Sequence, residues 1–287
     1  MSPSATLLDD DVQFPEGPLW HEGRLVYVDF DRQQVLAHEG GRKRVLWQKA
    51  GTGPCGLAPA PDGGLIVACY DGNAVAHLAA DGRLLDYAQR DASGQAMVGC
   101  NDAVADAAGG VYVTASGVGD PAAPATGKVF YRAPDGRLTE VAAGLHYANG
   151  LALLDGGRML VVSEHLSRRL TAFAVQKDGR LGPGRPFCRL DDLAKPVPET
   201  DAWTGGDGIE LDARGRLHIC EYGAARMLVC DEEAKPLGTV GVPARHVTNV
   251  AFGPDGAAYV TAVFDGLKPP FKGAVWRLAP GYPLART

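Results

Sequence analysis

Excess basic charge, paired cysteines and long apolar runs are all missing from this sequence, and each absence removes a class of function. Across 287 residues, 28 Lys and Arg stand against 34 Asp and Glu, a formal net charge of −6. That balance gives no electrostatic motive for binding nucleic acid or an anionic membrane, and it favours small molecules or metal cations as partners. No apolar stretch approaches the roughly 18 residues that a bilayer-spanning helix needs. The opening segment carries Asp9, Asp10 and Asp11 where an export signal would carry Lys or Arg, so a cytoplasmic location is expected. The six cysteines (Cys55, Cys69, Cys100, Cys188, Cys220 and Cys230) form no CxxC pair and are widely scattered. They read as reduced thiols used as small apolar residues, not as a disulfide frame or zinc site. There is no GxSxG elbow, HExxH or Walker A motif. Nothing indicates an obligate protein partner.

Glycine, by contrast, is abundant at 38 residues, with 20 prolines, and neither follows a three-residue period. The excess therefore belongs to turns. Aligning turn glycines with the apolar runs that follow them gives HEGRLVYVDF, PDGGLIVACY, AAGGVYVTAS, DGGRMLVVSE, ARGRLHICEY and PDGAAYVTAV. The marked glycines are Gly23, Gly63, Gly109, Gly157, Gly215 and Gly256, spaced by 40, 46, 48, 58 and 41 residues. A short apolar strand precedes each turn and another follows each run, while glycine, proline and Asp-Gly turns interrupt nearly every window of helix length. Six meanders of this length predict an all-β chain folded as a six-bladed β-propeller with a central axial metal site. Residues 1–287 are then a single domain, with 1–11 and 281–287 expected at its periphery.

A propeller sets the first strand of every blade around one axis, so residues at one repeat position form a ring at one depth. Counting back eight from the marked glycines gives Cys55, Asn101, Asn149, Asp207 and Thr248; the first blade is one residue tighter and gives Glu16. Two carboxylates and two carboxamides converging there make a hard-oxygen site whose charge suits a divalent cation. Calcium leads, with Mn2+, Mg2+ and Zn2+ as alternatives. The competing reading gives Asn101, Asn149 and Asp207 to turn backbones. Four such residues on one ring, with Glu16 in FPEGP among them, favour the site.

The segments FPEGPLW, NDAVADAAGGVYVT, NGLALLDGGRMLVVSE and GGDGIELDARGRLHICE resemble successive signatures of the senescence-marker-protein, gluconolactonase and regucalcin family, over about residues 12–280. The resemblance implies a divalent metal, commonly calcium, held by Glu16, Asn101, Asn149 and Asp207. It also implies a metal-dependent lactonase with Asp207 as general base; direct attack by Asp207, or metal holding alone, are the other roles open to it. The runner-up enzyme is a phosphotriester or fluorophosphate hydrolase, as in the related diisopropyl fluorophosphatase, and the non-enzymatic alternative is a calcium-binding propeller. In that family an arginine often stands two residues before the first ring asparagine. Here Gly99 occupies the position, which points away from sugar lactones toward a less hydroxylated lactone or another ester.

Strand direction places two long insertions, Ala115 to Gly127 and Cys188 to Gly206, above the ring as a rim. Asp120, His146, Tyr147, His165, Trp203 and Tyr222, together with Asn101, are the expected substrate contacts. GTGPCG at Gly51, Gly53 and Gly56 fits a dinucleotide fingerprint, with Asp71 twenty residues on, but Pro54, Pro59 and Pro61 forbid the helix that motif needs. Glu164 is expected to pair with Arg168 or Arg169, and Cys100 to be a core residue.

Overall fold

The computed structural model describes residues 5–198 and 203–286. Within them, 24 strands form six antiparallel four-stranded sheets, the blades of a β-propeller. The innermost strands are Pro15–His21, Pro54–Pro59, Cys100–Ala105, Ala148–Leu154, Gly205–Leu211 and His246–Phe252. All six marked glycines sit in the turns that leave these strands, with φ between +72 and +85, a region that side chains other than glycine adopt only under strain. GTGPCG runs into a strand and not a helix.

Alternation along each second strand builds the core. In the strand Arg24–Asp29, Leu25 and Tyr27 pack against the sixth blade, while Val26 and Val28 pack against the second. The same device repeats round the circle, so that one apolar cluster fills each of the six gaps between neighbouring blades.

Five blades take their four strands consecutively from axis to rim. The sixth takes its outermost strand from Ala5–Gln13, which pairs antiparallel with Lys272–Leu278. Residues 5–11, expected to be peripheral, therefore complete a sheet and join the two ends of the chain, which removes two open strand edges. The far C-terminal segment packs on the fifth blade: Thr239 and Ala285 exchange main-chain hydrogen bonds of 2.9 and 2.8 Å, and the Tyr282 hydroxyl shares one of 2.7 Å with His218 Nε2. Among the described residues, no helix is long and apolar enough to cross a membrane.

Glu164 and Glu221, buried at the ends of second strands, pair with the arginines that open the following strands, and Glu221 also with Arg168 of the preceding blade. Glu221 accepts from Arg226 Nε at 2.6 Å and Arg168 Nη2 at 2.9 Å. Glu164, fully buried, accepts from Arg169 Nε at 2.8 Å, from Thr171 Oγ1 at 2.5 Å and from the His146 amide at 2.8 Å. Burial alone would push the Glu164 carboxyl up, but the hydrogen bonds from Arg169, His146 and Thr171 outweigh it and hold the group below its ordinary range. A folded-state value below the unfolded one stabilises the fold above the unfolded carboxyl's pKa, and that contribution is lost as the pH falls through the folded value. Glu164→Gln is thus expected to cost about 3 kcal/mol in urea unfolding at neutral pH, with the difference from the parent shrinking toward acid. Equal stability of the two proteins at neutral pH would contradict the pairing.

Candidate active site

Each ring residue lies at the start of an innermost strand, where the chain reaches the axis. In all six blades the register with the second strand shifts there: between Glu16 and Leu19, Pro54 and Leu57, Cys100 and Ala103, Ala148 and Leu151, Gly206 and Ile209, and Val247 and Asn249. A bulge re-aims a side chain that a regular strand would send into the gap between blades. Glu16, Cys55, Asn101, Asn149 and Asp207 are brought together in this way on the floor of one cavity of about 430 Å³. The sixth ring member, Thr248, turns aside, and its hydroxyl donates to the Pro15 carbonyl at 2.7 Å and lies 2.8 Å from Thr261 Oγ1.

The next residue of each strand forms a second ring: Gly17, Gly56, Asp102, Gly150, Gly208 and Asn249. Asp102 and Asn249 come from opposite blades, and Asn249 Nδ2 donates to Asp102 Oδ2 across the channel at 3.2 Å. Gly56 and Gly208 make room for that bridge, and Gly17 and Gly150 let neighbouring innermost strands approach closely. A Cβ on Gly56 would stand 2.4 Å from Asp102 Cα, and one on Gly208 would stand 2.2 Å from the Asn249 carboxamide. Below the bridge lies a separate cavity of about 190 Å³, lined largely by apolar residues such as Leu57, Leu151, Ile209 and Val250. The bridge therefore divides the central channel into an upper and a lower compartment.

The upper floor is electrostatically strained. Burial pushes the Glu16 carboxyl well above its usual range, and repulsion from Asp207 and Asp102 adds to the effect. Asp207 is raised by burial and by Asp102, opposed by a hydrogen bond from Asn149. Burial takes Asp102 to about 6 despite its bonds from the Ala103 amide and Asn249. Among the described residues, no Lys or Arg lines the cavity. Two carboxylates and two carboxamides facing one space without a basic partner fit a hard divalent cation. No three His, Cys, Asp or Glu side chains converge as a metal cluster among the described residues, so such a site depends on the Asn101 and Asn149 oxygens.

The walls are aromatic. The residue at or just past the end of each second strand is Phe30, Tyr70, Ser116, His165, Tyr222 or Val263, and four of these six line the cavity. Sequence reasoning missed Phe30 and Tyr70, although the repeat counting that found the floor would reach them seven residues after Gly23 and Gly63. Phe14, Tyr147 and Trp203 complete the wall with Leu267. Of the expected substrate contacts, Asn101, Tyr147, His165, Trp203 and Tyr222 border the cavity. Asp120 and His146 do not. Asp120 is spent on its own turn, accepting from the Ala122 amide at 2.8 Å, and His146 precedes the positive-φ Tyr147 that turns into the cavity in its place. His165 is a wall residue whose Nδ1 lies 3.1 Å from the Gly206 carbonyl and whose Nε2 lies 2.7 Å from the Trp203 carbonyl. The first insertion reaches the rim, where a Cβ on Gly119 would stand 3.1 Å from both the Trp203 and Tyr147 rings. Residues 199–202 of the second insertion lie outside the described residues.

This architecture has known counterparts. A pentonolactonase of Haloferax volcanii is 26% identical over 264 residues, which covers 89% of this chain and 83% of that protein. The structure of a gluconolactonase from Xanthomonas campestris matches with a TM-score of 0.77 and 26% identity, covering 97% of this chain and 89% of the other. The structure of regucalcin from Agrobacterium tumefaciens, described as a calcium-binding protein, matches with a TM-score of 0.75 over 100% of this chain and 99% of the other, and at 19% identity it bears on the fold alone. The family model for the SMP-30/gluconolactonase/LRE-like region matches residues 14–264, and the chain belongs to that family.

Proposed function

We propose that the protein is a divalent-metal-dependent hydrolase that opens a lactone ring. The observation that carries this reading is the convergence of Glu16, Asn101, Asn149 and Asp207 on the floor of a cavity with no Lys or Arg among its described lining residues. The family relatives named pentonolactonase and gluconolactonase support lactone opening as the reaction. Glu16, Asn101, Asn149 and Asp207 would hold the cation, calcium in the first place. When bound, such an ion supplies Lewis-acid polarisation of a carbonyl.

The remaining work falls to the chain itself. Asn149 hydrogen-bonds Asp207 and fixes the orientation of its carboxyl on the floor. Asp207 accepts a proton from the attacking water as the water oxygen bonds to the lactone carbonyl carbon. The ring C–O bond then breaks, and the same proton passes to the departing ring oxygen, leaving a hydroxy acid. The aromatic wall holds the ring over the floor and limits the water that reaches it.

Asp207→Asn keeps the size of the side chain and removes its basicity. It is expected to lower kcat/KM by about 10²- to 10⁴-fold with unchanged circular dichroism. Full activity in this folded variant would overturn the role of Asp207. Chelation is expected to abolish lactone hydrolysis, and added calcium, manganese or magnesium to restore it; activity that persists through exhaustive chelation would overturn the metal dependence.

A further inference from the structure

We infer that the substrate is a neutral lactone bearing an aromatic substituent, and not a polyhydroxylated sugar lactone. The inference rests on the lactonase reading and names the substrate class of that same site. Its basis is how the wall above the carboxylate floor is built. Phe14 and Phe30 pack with ring centroids 5.8 Å apart, Phe30 and Tyr70 with 6.1 Å, and Tyr147 and Trp203 edge to face at 5.8 Å. The Tyr70 and Tyr147 hydroxyls join the two halves through a 2.7 Å hydrogen bond. The wall is therefore a nearly continuous arc of ring faces and edges, the surface that an aromatic guest packs against most favourably.

The polar atoms of this arc largely serve the protein. Tyr70 and Tyr147 bond each other, and both nitrogens of His165 face the main-chain carbonyls of Gly206 and Trp203. Ring hydroxyls of a sugar lactone that point away from the floor would meet a wall that is mostly carbon, with one O–H of the Tyr70–Tyr147 pair left to donate, and stripping water from an unpartnered hydroxyl is costly. Gly99 lies against the Tyr70 ring. It holds φ +65, its amide donates to Asn73 Oδ1 at 2.7 Å, and a Cβ there would stand 3.0 Å from the Tyr70 ring. Tyr70 thus fills the space beside this position. An anionic substituent would find no Lys or Arg among the described lining residues to pair with. A volume of about 430 Å³ lies within the usual range of small-molecule sites.

The test compares two lactones of the same ring size, γ-phenyl-γ-butyrolactone and ribonolactone, on the calcium-loaded protein, each corrected for spontaneous hydrolysis. The expected result is a kcat/KM higher for the phenyl lactone by about tenfold or more. Calorimetric binding of the matching lactams, which are not turned over, is expected to show the same order. Preference for ribonolactone in turnover, or equal or absent binding of the phenyl lactam, overturns the substrate class and leaves lactone hydrolysis standing. Tight binding of the phenyl lactam without turnover of either lactone supports the aromatic site and defeats the hydrolytic reading instead. Tyr70→Phe is expected to keep the phenyl preference, and Tyr70→Ser to lower it by about tenfold. Equal preference in these two variants overturns the role given to the wall.

Discussion

Three carboxyl groups, those of Glu16, Asp102 and Asp207, are buried round the propeller axis, and the described lining of the cavity above them contains no Lys or Arg. Most other buried acids of this chain have an arginine partner. Asp29 has Arg32, Asp212 has Arg216, Glu164 has Arg169, and Glu221 has both Arg168 and Arg226. An ion withdrawn from water without a partner carries a penalty of several kcal/mol, so three acids left unpaired in one place are a stable arrangement only if protons or a cation accompany them. The asymmetry between a rim rich in arginine pairs and an axis without them is the physical ground for placing a cation at the axis.

Propeller geometry is what brings those acids together. Each blade brings one residue to the axis at a given depth, and the register shift at that point turns five of the six inward, Thr248 turning aside. The following ring has to be nearly empty, and four glycines keep it so, with the remaining space taken by the Asp102–Asn249 bridge. That bridge gives the site a solid floor. One ring further outward along the second strands come Phe30, Tyr70, His165 and Tyr222, so floor, support and wall are three positions of a single repeat.

Much of this was legible in the sequence because the repeat is regular. The marked glycines, the six blades and the set Glu16, Asn101, Asn149 and Asp207 follow from counting alone. Features that depend on two distant segments meeting were not legible. The pairing of Ala5–Gln13 with Lys272–Leu278 carries no local signal, and the Asp102–Asn249 bridge joins residues 147 apart. Asp120 and His146 were expected to face substrate because they sit in rim segments, but loop residues answer first to their own turns: Asp120 closes one, and the backbone turn at Tyr147 carries its neighbour away from the cavity. Phe30 and Tyr70 stand seven residues after Gly23 and Gly63, at a position where an aromatic ring reads in the sequence as core and not as cavity wall.

Calorimetric titration of calcium into the metal-free protein tests the central claim most directly, because it reads the axial charge without reference to any substrate. The account predicts saturable binding of one calcium ion per chain, abolished when Glu16→Gln and Asp207→Asn are combined in a protein that remains folded. An absence of calcium, manganese and magnesium binding in the parent, or an unchanged isotherm in the double variant, would contradict it.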